Sequence, residues 1–162
     1  MNDETKEESL LEWDKIELRR AIAGSCDDIW RYWAEPHLIK RWWGDSVHLE
    51  LRVGGAFEER WKASDGSEMV TSGTVIICQP SRSFTLTWAD DDWRAMTEVM
   101  VMFREDGQLT DLKLVHRGWL KFRGEKGAAT RAQHAAAWER HLDALVALSE
   151  SDNPFGSEAE PR

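Results

Sequence analysis

Ala-Ala-Thr-Arg-Ala-Gln-His-Ala-Ala-Ala-Trp-Glu-Arg-His-Leu-Asp-Ala-Leu-Val-Ala-Leu-Ser, residues 128–149, is the stretch that decides the fold. Its apolar residues recur with the period of a helix. Turned about Trp138, that helix places Arg131, His134, Ala135, His141, Leu142, Leu145 and Ser149 on one face. Gln133, Ala136, Arg140, Asp143 and Ala147 fall on the far side. The inner face is uneven. Trp138, Leu142 and Leu145 make a core stripe, whereas Ala128, Arg131, His134 and Ala135 are small or polar. Such a helix fills space at its C-terminal end and is expected to leave room for a ligand at the other.

The rest of the chain must supply the surface that this helix covers. At 162 residues, 41% hydrophobic and 31% charged, it suits one soluble domain with a sizeable core. No apolar run approaches the roughly 18 residues of a membrane span. Met1-Asn2-Asp3-Glu4-Thr5-Lys6-Glu7-Glu8 is acidic where a signal peptide is basic and then apolar. A cytoplasmic protein without membrane contact is expected. A net charge of −9 argues against a nucleic-acid groove, which needs clustered Lys and Arg. Much of that charge lies in the ends. Residues 1–12 and 150–162 are expected to be acidic, disordered tails around a single domain at 13–149. Cys26 and Cys78 stand in no metal or redox spacing and are expected to be reduced and buried. Ten tryptophans against one tyrosine imply an aromatic core, an aromatic cavity or an interface.

Taken in order, residues 16–23 alternate as a first strand that begins near Trp13. Ser25-Cys-Asp-Asp28 resembles a capping box for a short helix whose apolar face is Ile29, Trp30 and Trp33. Pro36 breaks that helix and starts a second, through Trp42 and Trp43. The period then becomes two. Val47, Leu49, Leu51 and Val53 alternate with polar residues, and Gly54-Gly55 turns the chain into Ala56–Lys62. Further strands are expected over 69–79, 82–88, 93–104 and 109–122, with acidic Asp90-Asp91-Asp92 as a loop. The order is strand, two short helices, six strands and a long helix. This is an α+β domain in which antiparallel strands wrap around one helix.

These residues resemble the START-like (helix-grip, SRPBCC, Bet v 1-like) superfamily, in the branch of the activator of Hsp90 ATPase homologue C-terminal domain. The resemblance rests on 16–30, on Glu-Pro-His-Leu-Ile-Lys-Arg-Trp-Trp-Gly at 35–44, and on Glu50-Leu-Arg52-Val-Gly54-Gly55. It continues through Gly73-Thr-Val-Ile-Ile, Pro80 and Trp88 to His134-x-x-x-Trp138-x-x-x-Leu142. Ala137 replaces the usual Gly before that Trp. The resemblance implies a curved antiparallel sheet of about seven strands gripping the C-terminal helix, with a cavity between them. Members resemble co-chaperones, small-molecule sequestering proteins and cyclase-like enzymes, so the fold leaves function open.

Candidate residues follow from the alternation. His116, with Leu112 and Leu114, points toward the helix, where it can meet His134 or His141. These histidines fit polar groups with hydrogen-bond partners, and no metal-ligand spacing is present, so neither metal nor cofactor is expected. His116 is a weak acid/base candidate, and Glu59, sharing a face with Phe57 and Trp61, is a second. Either that face is buried or it faces solvent. Glu50 and Arg52 suit a structural ion pair. Trp42, Trp61, Trp88, His116, Arg131, His134 and Trp138 are the expected ligand-binding residues. Met96, Met100 and Met102, opposite Val99, Val101 and Phe103, suggest a homodimer surface. The expected function is binding of a small apolar or aromatic molecule between sheet and helix. A chaperone-interacting module and a cyclase- or hydrolase-like enzyme are the alternatives. About a dozen residues precede the first strand, so no separate N-terminal chaperone-binding domain is expected.

Overall fold

Alternation builds seven strands and the 3.6-residue period builds the helices that cover them. The computed structural model describes residues 3–153. Its elements are α1 (Asp3–Trp13), β1 (Lys15–Ala23), α2 (Cys26–Ala34), α3 (Pro36–Ile39), β2 (Val47–Leu49), β3 (Ala56–Lys62), β4 (Glu68–Gln79), β5 (Ser83–Asp90), β6 (Thr97–Asp106), β7 (Leu109–Arg117), a 3-10 turn (Trp119–Lys121) and α4 (Gly124–Asp152). The strands form one sheet, β1-β7-β6-β5-β4-β3-β2, with every neighbouring pair antiparallel. Among the described residues, no helix is long and apolar enough to cross a membrane.

The core lies between the sheet's inner face and the helices. Phe84, Leu86 and Trp88 of β5, Val99, Val101 and Phe103 of β6, and Leu112 and Leu114 of β7 meet Ile29, Trp30 and Trp33 of α2 and Trp138, Leu142 and Leu145 of α4. Ser25 caps α2 by accepting from the Asp28 N–H at 3.1 Å. Pro36 opens α3.

Several boundaries differ from the sequence expectation. β2 stops at Leu49 because Glu50 to Gly55 fold into a turn: Arg52 N–H donates to Glu50 O and Gly55 N–H to Arg52 O. A Cβ on Gly55 would stand 2.0 Å from Glu50 O, so this approach needs glycine. The Arg52–Glu50 pair, at 3.1 Å, belongs to this turn. β6 begins only at Thr97, leaving Trp93 to fold back on Trp119 and Phe122. β7 ends at Arg117, where Gly118 takes φ +106°. Residues 3–12 of the segment expected as a disordered tail lie, with Trp13, in the helix α1, which is largely exposed. Their Glu, Lys and Leu favour a helix, and Asp14 docks its end by accepting from the N–H groups of Gly118, Trp119 and Leu120. At the other end α4 runs on through Asp152, and the remainder of the expected tail, 154–162, lies outside the described residues.

Three polar contacts pin α4. Arg131 donates to Trp13 O and Lys15 O at 2.8 and 2.7 Å, and Arg20 pairs with Asp143 at 2.9 Å. Arg41 holds Asp152 through two hydrogen bonds, and the Tyr32 hydroxyl donates to the same carboxylate at 2.6 Å. Burial and that acid push the Tyr32 hydroxyl up to about 12. The first two contacts draw the helix toward β1. On the outer face of the sheet, Met100 and Met102 are half-buried, whereas Met96 precedes β6 and is exposed. Cys26 is buried and Cys78 half-buried, and both are free thiols.

Gly73 of β4 carries the tightest strand contact, since a Cβ there would lie 1.7 Å from Thr87 O of β5. Gly73→Ala is expected to destabilise the fold by about 1–3 kcal/mol, the usual cost of overpacking, read as a lower urea midpoint.

Candidate functional site

A buried indole N–H needs an acceptor, and two histidines supply one each. Trp138, 2% exposed, donates from Nε1 to His116 Nδ1 at 3.0 Å. The other ring nitrogen of His116 lies 2.7 Å from Thr97 Oγ1, and Thr97 donates to Trp88 O at 3.0 Å. This network assigns His116 as neutral, with the proton on Nε2. Trp88 in turn donates from Nε1 to His134 Nε2 at 3.2 Å, and His134 Nδ1 donates to Thr130 O at 2.9 Å. His134 is therefore the opposite tautomer. Protonating either ring would set N–H against N–H. Burial pushes His116 well below its ordinary value, and the neighbouring imidazole of His134 adds to the effect. Burial also lowers His134, against the Thr130 carbonyl and Asp90, which favour its charged form. His116 is fully buried and its ring nitrogens are engaged by protein groups. It has neither proton nor lone pair to offer a ligand or metal.

α4 packs against β1, and a cavity of about 310 Å³ lies on its other flank. Glu59 and Trp61 of β3, Thr71 of β4, and Trp88 and Asp90 of β5 form the sheet wall. Gln133, His134, Ala137, Trp138, Arg140 and His141 form the helix wall, with Gln133 and Arg140 exposed at the mouth. The space is not where the helix face alone put it. Around the N-terminal half of α4, His134 is packed against Trp93 and Trp119, and Arg131 lies over the Trp13 ring at 5.3 Å. Ala128 is exposed. Of the seven expected ligand-binding residues, Trp61, Trp88, His134 and Trp138 line the cavity. Trp42, His116 and Arg131 do not. Trp42 is core, edge-on to Trp33 at 4.7 Å and donating to Tyr32 O.

Glu59 does face the cavity, which decides between its two sequence placements. Glu59, Thr71 and Asp90 are successive partners across β3, β4 and β5. Trp43 Nε1 donates to Glu59 at 2.9 Å. Trp61 Nε1 donates to Thr71 Oγ1 at 2.8 Å, and Thr71 donates to Asp90 at 2.6 Å. Burial raises both carboxyl groups above the ordinary range, against the hydrogen bonds from Trp43 and Thr71. His141 stacks on Trp43, ring centroids 4.8 Å apart, and burial with the nearby Arg140 holds it down to about 4. Sequence reasoning missed Asp90, Thr71, Ala137, Gln133 and Arg140 as wall residues. Alternation from Trp88 carried a signal for Asp90, because residues two apart share a face.

Two predictions follow from these networks. His116→Phe keeps the ring but strips Trp138 Nε1 of its acceptor. It is expected to cost about 1–3 kcal/mol in urea unfolding. His141 is held at about 4 in the fold against 6.5 when unfolded. The unfolded chain therefore binds protons that the folded chain refuses, and this contribution to stability is lost as pH falls from 6.5 toward 4. Glu59 and Asp90, being raised, act with the opposite sign. His141→Gln is expected to flatten the acid loss of stability in that window, measured as urea midpoint against pH.

Known structures and families place this geometry. Protein CV1439 from Chromobacterium violaceum matches at 20% identity and a TM-score of 0.69, over 85% of this chain and 97% of that one. CalU16 from Micromonospora echinospora matches at 25% identity and 0.62, over 82% and 71%. DynU16, a protein in the dynemicin biosynthetic locus, matches at 14% identity and 0.70, over 86% of this chain and 48% of that one. Among curated proteins there is no match. The fold is thus the helix-grip arrangement of an antiparallel sheet closed on a long C-terminal helix. The family described as "Activator of Hsp90 ATPase homolog 1-like protein" matches residues 23–150, and this chain belongs to it.

Proposed function

We propose that this protein binds a small aromatic molecule in the cavity between its sheet and α4. The observation that carries this reading is the cavity itself, about 310 Å³ and walled by Trp61, Trp88 and Trp138. Ligand pockets span roughly 300–1,000 Å³ and are walled mainly by apolar and aromatic groups, so this one suits a molecule of one or two fused rings. DynU16, which shares the fold, comes from the dynemicin biosynthetic locus, a setting in which a small molecule is made. Ala137 adds to the reading, because its methyl group stands on the helix wall where a larger side chain would fill the space.

The test is a titration of tryptophan fluorescence against a library of small aromatic compounds, with stoichiometry taken from native mass spectrometry. Saturable one-to-one binding is expected. In Ala137→Phe, whose ring would occupy the cavity, affinity should fall at least tenfold while the unfolding midpoint stays close to wild type. Binding that is indifferent to Ala137→Phe would place the ligand elsewhere and end this reading.

A further inference from the structure

Two acids share the cavity's sheet wall, Asp90 buried and Glu59 half-buried; neither forms an ion pair, and nearby His134 offsets the raising of Asp90 only in part. Glu59 and Asp90 flank Thr71 in one cross-strand row, which sets them two strand spacings apart, about 9–10 Å. Asp90 is only 6% exposed. The protein binds one oxygen of each: Trp43 holds Glu59 Oε2 and Thr71 holds Asp90 Oδ1. Among the described residues, no Lys, Arg or His stands within 4.0 Å of either carboxylate. Buried carboxylates are ordinarily paired, because removing an unpaired charge from water is costly. Burial raises both groups, and Asp90 further raises Glu59. A stability cost spread over two strands and aimed at one cavity calls for a partner that arrives from outside.

The surrounding walls favour a cation. The faces of indole rings attract positive charge, and Trp61, Trp88 and Trp138 stand around the same space. His134 and His141 also face it, and burial keeps both low. Arg140 lies exposed at the mouth, so positive charge on a ligand is directed inward to the acids. Resting on the reading of this cavity as a ligand site, we propose that the ligand is an aromatic amine, its ring held among Trp61, Trp88 and Trp138 and its protonated nitrogen lying between Glu59 and Asp90. An alkylammonium group has three N–H donors. One suits the free oxygen of Asp90, the more buried acid, and the charge of Glu59 two strands away adds a longer-range attraction.

Calorimetric titration of the full chain at neutral pH with three indoles of similar size tests this. Tryptamine carries the cation, 3-methylindole is neutral and indole-3-acetate is an anion. Tryptamine is expected to bind at least tenfold more tightly than 3-methylindole, and indole-3-acetate more weakly than both. In Asp90→Asn and in Glu59→Gln the affinity for tryptamine should drop at least fivefold, with 3-methylindole within twofold of wild type. In Arg140→Gln, tryptamine should bind as well as or better than in wild type. Without ligand, Asp90→Asn should melt a few degrees higher, since it removes the buried charge and keeps an acceptor for Thr71. Equal or tighter binding of the neutral or anionic probe overturns the amine assignment and leaves the cavity reading standing. Lack of saturable binding by all three overturns this inference, and joined to a blank library titration it overturns the cavity reading too. A lower melting temperature for Asp90→Asn also overturns it, because the acid would then be stabilising on its own.

Discussion

The fold depends on one hydrogen bond between a helix and a sheet, from Trp138 Nε1 to His116 Nδ1. It joins the middle of α4 to β7 in a region with no access to water, where an orphaned donor would cost about 1–3 kcal/mol. Its geometry dictates the state of everything around it. His116 must be neutral and must carry its proton on Nε2, which directs Thr97 to the Trp88 carbonyl. The Trp88 ring is then held by His134 on the helix. Two tryptophans and two histidines of opposite tautomer thus close a circuit between sheet and helix. In a chain with ten indoles this matters, because each buried one brings a donor. Among the described residues, Trp33 Nε1 is the only buried side-chain nitrogen or oxygen without a partner.

The same circuit explains why the aromatic wall of the cavity is stiff. Trp88 and Trp138 are each fixed at the face and at the N–H, and Trp61 is tied to Thr71. A wall pre-set in this way loses little side-chain freedom when a ligand arrives, which lowers the entropic cost of binding. The acids follow the opposite logic. Glu59 and Asp90 are strained by burial, and each retains one oxygen beyond its protein hydrogen bond. Rigid aromatic walls beside acids whose second oxygens open onto the cavity are local departures from stability of the kind that binding sites show.

Most of the architecture was legible in the sequence, and most of the site was not. Alternation located the strands, and Ser25 and Pro36 marked the helix starts, because these are short-range effects of backbone and side chain. The period of residues 128–149 also told which face of α4 is inward. It did not tell which way the helix leans. That depends on Arg131 reaching Trp13 and Lys15, and on Arg20 reaching Asp143, contacts more than a hundred residues apart in the chain. The cavity lies against Ala137, Gln133 and Arg140 rather than Arg131 and Ala135. Asp90 was masked for a related reason: three consecutive acids read as a loop, which outweighed the alternation from Trp88, and the pairing with Thr71 extends β5 to it. α1 was hidden by composition, since an acidic segment with no clear apolar stripe looks like a solvated tail.

The three-point attachment of α4 has a kinetic meaning as well. A helix tied near its start by Arg131, further along by Asp143 and at its end by Asp152 does not serve as a lid, because lifting it would break all of these contacts together. The mouth of the cavity is made instead by Gln133 and Arg140, two exposed side chains free to change rotamer. Rotamer changes of exposed side chains take picoseconds to nanoseconds, whereas collective shifts of packed elements take microseconds to milliseconds. A small molecule entering here would wait on two side-chain rotations rather than on a movement of the helix.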